Sequence, residues 1–338
     1  MKSENLSVTA AAANTTGVAV NKTYWIKSII LLGLLGVLIA LPWFTGYSTQ
    51  RLMVELFTFY AIALAWNLLA GYGGIVSVGQ HVFVGIGAYA MFSVSTTFSL
   101  NPWLALPASI IVSILFALIF AVPMFRLRGA YFAVGTWVLA EMARIAVLNS
   151  DWLGAGGGIP LTTMTGISRW LRNAGVYWAA LAVGAGSLAV IWWLMRGRLG
   201  LALLSVRDSE AAASASGVNV LRTKVILWVI AAAITGTAGA VAYMNTLQVS
   251  PGATFSLNWT AAAIFIAVLG GIGTLEGPLI GVIVYFLLRE CFSSYGSWYF
   301  IILGCIAILT MVLAPGGAWS LITRRKQIDP FGIRRILS

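Results

Sequence analysis

The chain has 338 residues, of which 60% are hydrophobic and 9% charged. Soluble domains are about a quarter charged, so a chain this oily cannot hide its apolar surface in one soluble core and reads as a polytopic membrane protein. Its net charge of +11 flanks apolar runs instead of forming a basic stripe interleaved with aromatics, which argues against nucleic-acid binding. Cys291 and Cys305 are too few for a disulfide framework; in or beside apolar runs, they read as two buried, inert thiols.

In chain order, residues 1–21 are rich in Ala, Ser, Thr and Asn and lack an apolar run, which predicts a disordered cytoplasmic tail. Lys22 and Lys27 precede an apolar run long enough to span and without a convincing cleavage site, so the start is not a removable signal. A single permease-sized domain, 22–315, follows. Its candidate spans are 28–45, 52–70, 78–98, 103–125, 130–148, 177–195, 225–247, 258–270, 277–290 and 297–314, and a polar, basic tail occupies 316–338. The expected fold is an all-α bundle of about 10 transmembrane or half-membrane helices with both termini cytoplasmic. That orientation places 15 of the 20 Lys and Arg residues on cytoplasmic segments, as the positive-inside rule requires. The last paired elements are about 13 residues each, short of the roughly 20 a full span needs, and the break between them, 270–278, is rich in Gly. Gly71-Tyr-Gly-Gly-Ile75 and Gly271-Ile-Gly-Thr-Leu275 resemble one another, which hints at an internal repeat.

The long polar exception is the segment 196–224. It carries Arg196, Arg198, Arg207, Arg222 and Lys224 against Asp208 and Glu210, and so belongs on the cytoplasmic side. Ser205-Val-Arg-Asp208 has capping-box spacing, Ala211, Ala212 and Ala213 favour helix, and Gly217 suits a left-handed helix end. These signals predict a short helix over about 206–216 whose small-residue face admits another protein; a solvated loop helix without a partner is the other reading.

Glu210-x-Ala212-Ala213-x-x-x-Gly217 resembles the cytoplasmic loop of ABC-importer permeases, in the form seen in the branched-chain amino acid permease family. Two further stretches, 64–89 and 268–281, and Arg126-Leu-Arg-Gly-Ala-Tyr131 followed by Glu141 and Arg144, are similar to the same family. The resemblance runs from about 50 to 315. It implies that Arg207, Asp208, Glu210, Ala212, Ala213 and Gly217 couple this chain to an ATPase. It further implies a second related permease subunit, two ATP-binding subunits that carry ATP and Mg, a periplasmic solute-binding protein, and a place in the bacterial inner membrane. The wider importer pattern has Gly six residues after Glu and an I-x-L-P tail. Here Gly217 is seven after Glu210 and Val225-Ile-Leu-Trp228 lacks Pro, which argues against close kinship with the sugar or phosphate permeases, not against a coupling role.

Polar groups at membrane depth are costly and tend to be functional. Glu141 and Arg144, at i and i+3, can meet. They read as structural glue facing other helices, with substrate contact as the alternative. Asn67, Gly74, Ser77, Gln80, His81, Gly271 and Gly273 are candidates for the translocation path, although a packing role fits His81 better. His81 is the chain's one histidine, so a multi-His metal site is impossible. The connection 149–176, with Asp151, Trp152, Arg169, Trp170 and Arg172, is long enough to meet an external partner. The sequence has no G-x-x-x-x-G-K-[ST], so no P-loop, and no H-E-x-x-H or nucleophile elbow. No catalytic residue or bound cofactor is expected in this chain. The leading expectation is an alternating-access permease subunit for branched-chain or hydrophobic amino acids; a permease for urea or a short amide, and a self-sufficient secondary transporter or channel, are the alternatives.

Overall fold

The structure is a computed structural model that describes residues 33–164, 166–292, 298–314 and 316–323. The expected 1–21 tail, the start of the first span and the basic residues Arg324, Arg325, Lys326, Arg334 and Arg335 lie outside the described residues. The chain divides into two units, 1–46 and 47–338. The first contributes α1, Gly33–Phe44; the second is described below. Among the described residues, seven helical segments are long and apolar enough to cross a membrane, and the architecture is all-α.

The second unit opens with α2 (Tyr47–Asn67), prolonged by a π-helical turn, Leu68–Tyr72. A non-helical stretch, 73–80, leads into α3 (His81–Thr97). Next is α4 (Pro102–Phe125). Asn101 caps it by accepting from Trp103 N at 3.2 Å, and Pro102 takes the first helical position, where a missing N–H costs nothing. Ala105, Ser109, Ser113, Ala117 and Ala121 recur every fourth residue and are buried, while Leu104, Ile111, Leu115 and Ile119 point outward. A stripe of small residues facing protein and large ones facing outward is how membrane helices approach closely without a hydrophobic drive between them.

After α5 (Ala130–Leu148), the long connection is partly ordered. Short 3-10 turns lead to β1 (Ile159–Pro160), which pairs antiparallel with β2 (Gln248–Val249) in the register Ile159 to Val249. Leu153, Leu161 and Met164 are buried, and Trp152 stays exposed. The next helix, α6 (Arg169–Arg196), starts at Arg169 rather than at 177, because Ser168 caps it by accepting from Leu171 N. Arg169, Trp170 and Arg172 therefore belong to a helix, not to a free loop.

The polar segment folds as two helices, α7 (Arg198–Asp208) and α8 (Glu210–Ala215), not as the one helix expected over 206–216. Helix α9 (Val220–Thr246) follows and is the axis of the unit. It is apolar on every side and buried against α2, α3, α4 and α6. On it, Trp228 occupies the position where the wider importer pattern has Pro. Its ring is fully buried, with Phe83, Phe125 and Phe132 centred 5.1, 6.1 and 5.7 Å away, all edge-on. Such pairs add about 0.5–1.5 kcal/mol each beyond burial, which gives the departure from Pro a structural reason.

The chain ends with α10 (Pro251–Thr254), α11 (Asn258–Gly270), α12 (Gly277–Phe292), α13 (Trp298–Leu313) and α14 (Gly317–Thr323). The break at 271–276 is as expected from its glycines. Cys291 and Cys305 are free but exposed, a correction to the buried thiols expected: an apolar helix in a membrane protein turns apolar side chains outward, so an apolar run does not imply burial.

Candidate functional site

Two helix ends, at Ser209 and Gly217, shape the polar segment. Residues Gly200, Leu203 and Val206 bury one face of α7. Ser205, expected to cap, lies inside α7 and spends its hydroxyl on Ala202 O at 2.8 Å. The cap of α8 is Ser209, whose extended backbone breaks the helix and whose Oγ accepts from Ala212 N at 3.3 Å. Glu210 then sits in the first turn, where the helix dipole favours an acid. At the far end Gly217 takes φ +84. Gly217 N and Val218 N donate to Ser214 O and Ala213 O, each at 3.0 Å, the hydrogen-bond pattern of a left-handed helix stop. Of α8, only Ala213 is buried; Glu210, Ala211, Ala212, Ser214 and Ala215 are exposed.

Two side chains fasten this segment to the bundle. Arg207 donates from Nη1 to Gly71 O at 3.0 Å and from Nε to Asp208 Oδ1 at 3.2 Å. Lys224, on the first turns of α9, pairs with Glu210. Movement of α8 therefore bears on α9 through Lys224, and movement of α7 bears on the turn that ends α2 through Arg207.

That turn is itself bonded to the break between α11 and α12. Asn67 Nδ2 donates to Thr274 O, and Gly273 N donates to Asn67 Oδ1, both at 2.8 Å. A Cβ on Gly71 would strike the backbone of Gly273, so the two similar glycine segments lie directly against each other. Gly74 packs on Arg207, and Gly271 meets the backbone of Gly316. Asn67, Gly71, Gly74, Arg207, Gly271, Gly273 and the start of α14 thus meet at one end of the unit.

From this end the stretch 73–80 runs back between the helices, and four backbone groups of 77–81 find side chains. Trp66 Nε1 donates to Ser77 O at 2.7 Å. Val78 N and Gly79 N donate to Thr136 Oγ1 on α5 at 3.2 and 3.1 Å. His81 N donates to Thr260 Oγ1 on α11 at 2.9 Å. Non-helical backbone at membrane depth survives only with such internal partners. Thr260 Oγ1 also lies within hydrogen-bond distance, 2.9 Å, of His81 Nδ1. Gln80 Nε2 donates to Thr235 Oγ1 on α9 at 2.7 Å. Asn67, Ser77, Gln80 and His81 are all buried, and Ser77 Oγ and Gln80 Oε1 have no hydrogen-bond partner among the described residues.

Glu141 and Arg144 do meet, with Arg144 Nε 2.9 Å from Glu141 Oε2. Within this chain the pair faces outward: their side chains are 48% and 30% exposed, beside exposed Trp137, Val138, Met142 and Ile145. The expectation that they face other helices is not met by helices of this chain. A second ion pair was missed in the sequence. Arg289 Nη2 of α12 donates to Glu55 Oε2 of α2 at 2.6 Å; a separation of 234 residues hides it from any local pattern, although both charges belong at the same end of the expected topology.

Because the loss of Arg207 frees Gly71 O, Arg207→Gln is expected to raise hydrogen exchange at Gly73 and Ile75, whose amides bond Leu68 O and Leu69 O, while the amides of α9 keep their protection. Unchanged exchange at 71–75 would show that the arginine holds nothing in place.

The oily all-α bundle, the broken helices and the capped polar arm define an integral-membrane transport permease. Residues 48–314 match the family described as branched-chain amino acid transport system / permease component, and the chain belongs to that family. It is 27% identical over 317 residues to the high-affinity branched-chain amino acid transport system permease protein LivM of Salmonella typhimurium, covering 86% of this chain and 74% of that protein. The Methanocaldococcus jannaschii protein described as a probable branched-chain amino acid transport permease is 21% identical over 272 residues, 70% of this chain and 79% of its own. The ribose import permease of Escherichia coli is 30% identical, but over 148 residues, 42% of this chain and 46% of its own. Sugar permeases are thus nearer in part of the chain than the loop spacing suggested, and the full-length similarity is to amino acid permeases. No solved structure matches the chain.

Proposed function

We propose that this chain is the membrane-spanning permease subunit of an ATP-driven importer of branched-chain or similarly hydrophobic amino acids, in a bacterial inner membrane, acting by alternating access. The observation that carries the reading is the arm α7–α8. It is short and capped at both ends, exposes alanines and serines to an approaching protein, and is tied by Arg207 and Lys224 to α2 and α9. A separate ATPase gripping α8 would pull on both helices at once. The segment 149–168, ordered by β1 and β2 with Trp152 exposed, is at the opposite end and would meet a solute-binding protein. The amino acid class follows from the names of the relatives that match over most of the chain.

The test uses proteoliposomes. The chain, reconstituted with its second permease and ATPase subunits, should accumulate L-leucine only when ATP and the solute-binding protein are on opposite sides of the membrane. The chain alone should accumulate none. Ion-gradient-driven leucine uptake by the chain alone would make it a secondary transporter instead.

A further inference from the structure

A cavity of about 410 Å³ opens between α2, α9, α11 and α12. It lies at the end of the unit away from the arm α7–α8. Trp259 is at the start of α11 and Arg289 in the last turn of α12, and the 271–276 break at their other ends meets Gly71 and Arg207. The walls are aromatic: the Phe59 and Trp259 rings stack at 4.8 Å, Tyr243 stands 5.9 Å from Trp259, and Tyr285 6.0 Å from Phe59. Trp259 Nε1 donates to Ala253 O at 3.1 Å, which fixes its ring before anything binds. Ligand cavities are concave, largely apolar and about 300–1,000 Å³, with a few placed polar groups.

Here the placed charge is a cation. Arg289 lines the cavity and its Nη2 bonds Glu55, one helical turn from Phe59. That bond uses one of five guanidinium N–H donors and one carboxylate oxygen of Glu55. Glu55 does not line the cavity and serves to hold the guanidinium; the remaining donors suit a carboxylate, for which arginine is the preferred partner, and the aromatic rings suit an ammonium, which ring faces attract, beside an apolar tail. A partner carrying both charges on one carbon, with an apolar tail against Phe59 and Trp259, fits this lining. We infer that this cavity is a binding site for a zwitterionic α-amino acid with an aliphatic or aromatic side chain, seated on the permease itself, with Arg289 on its carboxylate and the aromatic walls around its ammonium and side chain. The inference rests on the proposed function for the choice of probe.

The test is equilibrium binding of radiolabelled L-leucine to the full chain in phosphatidylethanolamine/phosphatidylglycerol nanodiscs. Leucine should bind saturably, and 4-methylpentanoate and 3-methylbutylamine, each lacking one charge, should not displace it at tenfold excess. Arg289→Gln should weaken binding about tenfold or more. Gly252→Trp serves as the second variant. A side chain there begins in open space at the cavity edge, so it fills the cavity without disturbing the ion pair, and it should abolish binding. Absence of saturable leucine binding, binding untouched by both variants, or displacement by the singly charged analogues as by leucine would overturn the site; the last result would make it an apolar cleft for lipid. ATP-driven leucine uptake by the complete importer is read separately. Uptake without binding to the permease sinks this site and spares the proposed function, and binding without uptake does the reverse.

Discussion

Changing Glu210 to Lys together with Ala212 to Arg should stop solute uptake by the assembled importer while the chain still inserts and folds. Both positions are exposed on α8, and neither touches a membrane-spanning helix except through the pairing of Glu210 with Lys224. A lysine at 210 faces Lys224, so the arm is repelled from α9 where it is now attracted, and it places a cation at the positive end of α8. The arginine at 212 puts a long charged side chain on the face of small residues that an ATPase would approach. Loss of an interface hot spot costs about 2 kcal/mol or more. At about 1.4 kcal/mol per tenfold, ATPase binding should fall by roughly 30-fold or more. Co-purification of the ATPase subunits and leucine uptake are the two readouts, with protease protection of the spans as the check on insertion. Wild-type uptake by the double variant would leave α8 as an ordinary solvated turn.

Much of this fold was legible because the punctuation is local. Gly129 before α5 and the glycines of 270–277 bound their helices, and α5, α11 and the start of α12 fall where the sequence put them. The arm was legible in place but not in form. Ser205 has the spacing of a cap, but α7 continues through it to Asp208 and its hydroxyl bonds Ala202 O, so the cap falls to Ser209. The stretch 73–80 was recognisable as polar, yet its partners were not. Thr136, Thr235 and Thr260 are single threonines in oily helices, and nothing in their surroundings marks them as the groups that satisfy a buried backbone. The aromatic cavity was invisible for the same reason: Phe59, Tyr243, Trp259 and Tyr285 come from four helices, and the sequence shows each as one more apolar residue.

The bond between the two glycine segments should show as a stability loss in Asn67→Leu. Leucine has the branching and the number of side-chain heavy atoms of asparagine and suits the oily surroundings of a residue that is 1% exposed; its methyl groups are bulkier than the amide, and any overpacking adds to the loss. What is lost is the pair of hydrogen bonds to Thr274 O and from Gly273 N. Those two backbone groups then have no partner. An unsatisfied buried group costs about 1–3 kcal/mol; Gly273 and Thr274 are half-buried, so the lower end applies to each and the sum is about 2 kcal/mol. The melting temperature of the purified chain in detergent should fall by several degrees. Asn67→Asp gives the control: it keeps an acceptor for Gly273 N but sets a carboxylate against Thr274 O, so it should be no more stable than the leucine variant. If Asn67→Leu melts with the wild type, the glycine segments are held by packing of Gly71 on Gly273 alone. The end of α2 and the start of α12 could then part without breaking a hydrogen bond, and Arg207 would be the one polar tie between the arm and the turn that ends α2.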